Sequence, residues 1–141
     1  MSAAIKRNER AELAFLMVAS AEWTKRHKFL ALAYCRRTWC HHLVLDFLAV
    51  RPGASFANQP IRGLGTGVIS SLTGLANSLG MDTIWGEATA SSAPFYEKVL
   101  KTKPIKDLFV IRRKTMQRIF RDHVQKEERS LAKNATSRQS Y

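Results

Sequence analysis

The chain has 141 residues, a length that suits one domain with its own buried core. Lys and Arg number 23 against 11 Asp and Glu, so the formal net charge is +12, a balance that favours polyanionic partners such as nucleic acid, phosphorylated cofactors or acidic membrane surfaces. Two cysteines, Cys35 and Cys40, are too few and too close for a disulfide framework, and no apolar run approaches the ~20 residues of a membrane-spanning helix. The charge is uneven. Residues 101–141 hold twelve Lys and Arg against four Asp and Glu, and the rest of the chain is only mildly basic. Reduced thiols suit a cytoplasmic protein.

Residues 7–23 read as a helix with a broad apolar arc of Leu13, Phe15, Leu16, Met17 and Val18. Lys6, Arg7 and Arg10 before this run, and Ala19-Ser20-Ala21 after it, outline a signal sequence. Glu12 and the shortness of the run favour a buried or amphipathic helix instead. Residues 28–37, with Phe29-Leu30-Ala31-Leu32-Ala33-Tyr34-Cys35, fit a buried strand or a buried helix by periodicity alone. Ala and Leu content tips the reading to helix, and the absence of Gly, Pro and Asn from residues 36–42 argues against a tight hairpin.

Leu43–Val50 is apolar at nearly every position, as in a central strand covered on both faces, and Arg51-Pro52-Gly53 closes it. Asp46 stands out there as a carboxylate that needs a partner or a task. After a loop from Gly53 to Pro60 come Arg62-Gly63-Leu64-Gly65-Thr66-Gly67. A helical pattern follows, with Val68, Ile69, Leu72, Leu75, Ala76 and Leu79 on one face and Gly80 as its stop. Residues 83–88 form a second strand, and a crossover of this length makes it parallel to the first. A helix begins near Ser92 with Pro94 in its first turn. Asp107–Arg112 is a third strand. Residues 115–131 form a basic final helix, with Met116, Ile119, Phe120, Val124 and Leu131 at helical spacing, and 133–141 is a polar tail.

The glycine run falls at a helix N-terminus, where backbone N–H groups lack helical partners and can hold an anion. A dinucleotide-binding reading is poor, because Val68 stands where a third glycine belongs and the loop lies more than ten residues past the strand. A P-loop is excluded by the missing Gly-Lys-Ser/Thr. Cys35, Cys40, His41 and His42 lack a second spaced pair of ligands, so they read as buried thiols and surface histidines, and no metal is expected.

The strand ending in Leu48-Ala49-Val50, the loop Arg62-x-x-Gly65-x-Gly67, then Ala93 and Phe95-Tyr96-Glu97-Lys98 together resemble the core of the GNAT-type N-acetyltransferases over about residues 43–113. The resemblance implies an α/β, GNAT-like acyl-CoA N-acyltransferase fold: a mixed central sheet flanked by helices, its N-terminal part reduced and largely helical. It implies one domain over 1–132 and acetyl-CoA as co-substrate. The implied cofactor-binding residues are Leu48, Ala49, Val50, Arg62, Gly63, Leu64, Gly65, Thr66, Gly67, Val68 and Ser92. The coenzyme A arm is expected to lie along Leu48–Val50 like an added strand, with a backbone amide there polarising the thioester. Tyr96 matches the family's acid for the departing thiolate, and either Asp46 or Glu87 could serve as base for an attacking amine. Ala90, with Ser91 and Ser92, replaces an Asn common in the family. Only 42 residues precede the first strand, so the acceptor half is shortened, and a homodimer could complete it. Two other readings stand beside transfer to an amine: a catalytically inactive CoA-binding or interaction module on the same fold, and a nucleic-acid-binding protein using the basic 101–133 segment.

Overall fold

The computed structural model describes residues 11–21, 29–56 and 59–138. Its centre is a five-stranded mixed sheet in the order β1 (Leu13–Ser20), β2 (Phe29–Arg37), β3 (Leu43–Val50), β4 (Thr83–Glu87) and β5 (Leu108–Arg112). The pairs β1–β2, β2–β3 and β4–β5 are antiparallel, whereas β3 and β4 run parallel. Between β3 and β4 lies α1 (Leu64–Ser78), between β4 and β5 lies α2 (Ala93–Leu100), and α3 (Arg113–Arg138) follows β5 directly. Ser55–Phe56 and Gln59–Pro60 form a small ladder ahead of α1.

The sequence-based helices at 7–23 and 28–37 are corrected to strands, so the N-terminal part is a β-hairpin rather than largely helical. Part of the first expected helix, 7–10 and 22–23, lies outside the described residues. Along β1, Leu13, Phe15, Met17 and Ala19 pack toward the core while Ala14, Leu16, Val18 and Ser20 are exposed. The period is two, but apolar residues on both faces erase the contrast that would reveal it. The turn at 38–42 needs none of the usual turn residues. His41 takes the left-handed conformation (φ 61°), Thr38 N–H donates to the His42 carbonyl at 2.9 Å, and the Thr38 hydroxyl donates to that carbonyl at 3.2 Å.

Helices α1, α2 and α3 lie on one face of the sheet. Ile69, Leu72 and Ala76 of α1, Tyr96 and Leu100 of α2, and Met116 and Ile119 of α3 share one buried cluster with Leu43, Leu45, Ile84, Phe109 and Ile111. The other face carries exposed Leu16, Val18, Tyr34, Phe47, Leu108 and Val110 beside buried Val44 and Thr83. Gly74 lets α3 lie close on α1, since a Cβ there would stand 3.2 Å from the Phe120 ring. Arg118 of α3 donates to the Leu100 carbonyl at 2.8 Å, satisfying the C-terminal end of α2. The last helix runs on through Arg138, past the boundary at 131 expected from its apolar spacing.

Cys35 is fully buried in the core. Burial, with Asp46 nearby adding to it, pushes its thiol from 9.0 to about 12. Burial likewise pushes the Tyr96 phenol upward from 10.0. Both groups are held neutral by folding, so their contribution is complete below pH 9 and is lost as pH rises toward 12. We expect the denaturant midpoint to hold steady at neutral pH and to fall progressively above pH 9. A thiol reagent at neutral pH should label exposed Cys40 in the folded protein and Cys35 only after unfolding.

Candidate functional site

The local geometry of β3 creates the site. A bulge lies opposite Tyr34 and Cys35, which pair with Phe47 and Leu45 respectively. The extra residue, Asp46, breaks the alternation of side chains. Before the bulge Leu43 and Leu45 face the core, and after it Leu48 does. Asp46 therefore does not share a face with Leu48 and Val50, as strict alternation predicted. It sits on the outer face in a bidentate pair with Arg36 (2.5 and 2.8 Å). Since Arg36 is about half exposed, this pair contributes little to stability.

The bulge also ends the pairing of β3 with β4. The parallel register covers only Leu43–Leu45 against Ile84–Gly86, and from Asp46 onward β3 has β2 on one side and an open wedge on the other. Arg51 N–H donates to the Leu30 carbonyl at 2.8 Å, toward β2. Peptide groups alternate along a strand, so those of Ala49 also face β2 and those of Leu48 and Val50 face the wedge.

At the wide end of the wedge stands the N-terminus of α1. Gly63 precedes the helix at φ 82°, a conformation open to glycine and costly for other residues. The first helical amide with an acceptor inside the helix is that of Gly67, which donates to the Gly63 carbonyl at 2.8 Å. The amides of Leu64, Gly65 and Thr66 precede it and have no acceptor one turn back. No side chain caps this end, and no acidic residue lies in the first turn. Gly65 is small for a packing reason: an added Cβ would stand 3.0 Å from the Phe95 ring and 3.5 Å from Val50.

These parts line one groove of about 1010 Å³. It brings together Leu48, Val50, Arg62, Gly63, Leu64, Gly65, Thr66, Gly67, Ser92 and Tyr96 from the predicted set. Val68 borders a smaller hollow on the β1 side of the loop, and Ala49 lies between two groove residues without lining it. Asp46 and Glu87 do not line the groove either. Glu87 is exposed and pairs across the sheet with exposed Leu108, so both carboxylates project from the opposite face.

Tyr96 packs its ring on Phe109, 4.0 Å between centroids, and against Phe95 edge-on at 5.1 Å. Among the described residues none hydrogen-bonds its hydroxyl. Ser92 instead is engaged, its Oγ accepting from Thr89 N–H at 2.9 Å. Glu97 of the same short run accepts from Ile105 N–H at 3.0 Å and so holds the chain that leaves α2.

Sequence reasoning missed the far wall. Lys98 from α2 and Lys101 just past its end, with Asp122, His123, Lys126 and Glu127 from α3, also line the groove. Lys101 pairs with Asp122 at 3.4 Å, and His123 with Glu127 at 3.2 Å. The basic face of α3 carried the signal, but only the packing shows that Lys126 joins the groove while Arg118 braces α2. Cys35, Cys40, His41 and His42 do not converge, and among the described residues no three His, Cys, Asp or Glu gather as a metal requires. No described helix is long and apolar enough to cross a membrane.

The fold is α/β, a five-stranded mixed sheet with its described helices packed on one face. Among solved structures the chain is similar to nourseothricin acetyltransferase, at 17% identity and a TM-score of 0.48, over 60% of this chain and 48% of that one. It is also similar to Tetrahymena GCN5, at 19% identity and a TM-score of 0.44, over 60% of this chain and 49% of that one. The chain thus matches about half the length of each. No protein-family profile and no curated protein matches it.

Proposed function

We propose that this protein binds acetyl-CoA in the groove and transfers the acetyl group to an amine. The observation that carries the reading is the continuity of two features in one groove: an unpaired strand edge at Leu48 and Val50, leading to an uncapped helix N-terminus at Leu64–Thr66. An amide-bearing arm suits the first, because strand edges take extended chains by backbone pairing. A pyrophosphate suits the second, because its charge meets aligned N–H groups and the positive end of the helix dipole. Arg62, Lys98 and Lys126 along the same groove favour an anionic ligand, and the volume is that of a small-molecule site.

Bound acetyl-CoA supplies an activated acyl thioester. The chain's own residues position and polarise it. The inward-facing peptide groups of Leu48 and Val50 fix the arm, and a β3 amide can donate to the thioester carbonyl as negative charge develops there. The Tyr96 hydroxyl, neutral across the physiological range and without a hydrogen-bond partner among the described residues, is suited to donate a proton to the departing thiolate. For the acceptor, Asp46 and Glu87 stand on β3 and β4, the strands that border the wedge, on the face away from the groove. An amine arriving from that face would meet a carboxylate base there. Asp46 can act only if its pairing with Arg36 is released, which makes Glu87 the better placed of the two.

Tyr96→Phe separates chemistry from binding. Turnover should fall by about 100-fold, the usual scale for losing a general acid. CoA affinity and melting temperature should stay close to wild type, because the hydroxyl has no partner to lose among the described residues. A large loss of CoA affinity would instead assign Tyr96 to packing. Calorimetric titration with CoA decides the reading as a whole: no binding at millimolar ligand removes it.

A further inference from the structure

Helix α3 runs back along α1 toward the end that begins at Leu64. Phe120 lies against Gly74. About one turn further along α3, His123 lines the smaller hollow together with Gly67 and Ser71 of α1. Residue numbers rise along α3 as they fall along α1, so the two helices are antiparallel. At about 1.5 Å per residue, Lys126 stands roughly 9 Å past Phe120 and Gly65 roughly 13 Å before Gly74. The flexible stem of a lysine spans that difference. From its other side the same end of α1 meets α2. The Phe95 ring lies against Gly65, and Lys98 follows at i+3 on the same side of α2. Lys98 and Lys126 thus approach one helix end from two different elements, and both line the groove.

The groove sets Arg62, Lys98, Lys101 and Lys126 against Asp122 and Glu127. Both carboxylates are engaged, Asp122 by Lys101 at 3.4 Å and Glu127 by His123 at 3.2 Å. Among the described residues Lys98 and Lys126 take part in no ion pair. Lys98 lies in the last turn of α2, where a cation also suits the helix dipole. Lys126 is in the middle of α3 and has no such task. Two uncompensated ammonium groups on the walls of one groove are best matched by an anion between them.

Coenzyme A carries phosphate in two forms. Each phosphorus of its pyrophosphate bears one charge, which suits the neutral N–H donors at the start of α1. Its ribose bears a phosphomonoester, whose charge at neutral pH is about −1.5 to −2 and calls for full cations. Lysine binds phosphate as a point charge, without a fixed fork. Building on the acetyl-CoA reading, we propose that Lys98 and Lys126 form a second anion subsite that holds the ribose phosphomonoester. The protein thereby selects acyl donors that carry this phosphate over otherwise identical donors that lack it. Lys126 comes from the helix that follows β5, so α3 acts as a specificity wall of the groove.

Titration calorimetry of the full chain with CoA and with dephospho-CoA, which lacks only the phosphomonoester, tests this. Wild type should bind CoA about tenfold more tightly, the scale of one charge-assisted contact. Lys126→Gln and Lys98→Gln should each lower CoA affinity severalfold and leave dephospho-CoA affinity within about twofold of wild type. The double substitution should erase the preference, and Lys126→Arg should keep it. Arg121→Gln, on the exposed face of α3, should change neither affinity. Melting temperatures should stay near wild type, since both lysines are exposed. Equal affinities of wild type for the two ligands overturn the subsite and leave the acetyl-CoA reading standing. Equal losses for both ligands in Lys126→Gln also overturn it, and assign the lysine to the pyrophosphate. Failure of wild type to bind either ligand removes the acetyl-CoA reading and the subsite with it.

Discussion

Gly86→Ala is expected to destabilise the fold by roughly 3 kcal/mol, a drop in melting temperature of about 10 °C. A Cβ at this position would stand 2.5 Å from the Leu45 carbonyl oxygen and 2.7 Å from the Phe109 ring. The oxygen belongs to the backbone of the neighbouring strand and cannot turn aside. The ring occupies the space left empty by the missing side chain, and it carries Tyr96 on its other contact. The substitution therefore pushes apart β3 and β4 at the last residues they share, and it shifts the platform under Tyr96. Thermal and denaturant melts measure the first effect. Gly67→Ala is the control: a Cβ there meets nothing within 4 Å, so stability should hold or rise by about 0.5–1 kcal/mol from helix propensity. Equal melting of the two variants would contradict the packing described at Gly86.

Gly67→Asp is expected to move stability and ligand binding in opposite directions. The first turn of α1 has no acidic residue, so a carboxylate there meets the positive end of the helix dipole and should add about 0.5 kcal/mol. Space for it exists in the groove. The same carboxylate occupies the position proposed for the CoA pyrophosphate and repels it. Affinity for CoA should fall by about 100-fold, equivalent to about 2.7 kcal/mol. Calorimetry with CoA on a variant whose melting point is equal or higher reads both effects at once. Retained affinity would show that the phosphates bind elsewhere. Gly65→Val is less informative, because its side chain would strike Phe95 and Val50 and damage packing as well as binding. For the same reason, reversing Arg118 is a poor probe of nucleic-acid binding: it would strip the α2 carbonyls of their donor. Arg121 and Arg129 are the exposed choices.

Local signals made the C-terminal half of the sheet legible. Leu43–Val50 is a closed β-branched and apolar run, Gly80 takes the positive φ that stops a helix, and Pro94 falls where a helix begins. Those signals depend on single residues whose backbone preferences survive any context. The N-terminal hairpin was misread because its strands are apolar on both faces, and a sheet face left uncovered removes the polar half of the period-two pattern. The turn at His41 carries no sequence mark, since a histidine in the left-handed region is held there by the Thr38 contacts around it.

By itself the sequence determined the chemistry on offer: a glycine-rich helix start, a tyrosine four residues past Ser92, and a surplus of cations toward the C-terminus. Only the tertiary structure decided how these meet. A one-residue bulge turned Asp46 away from Leu48 and Val50 beside the open strand edge, while the regular alternation of β4 puts Glu87 on the far face of the sheet as well. The physical reason is that a bulge is set by the pairing of two strands rather than by either one. A register defined between chain segments is invisible to a reading that follows one segment at a time.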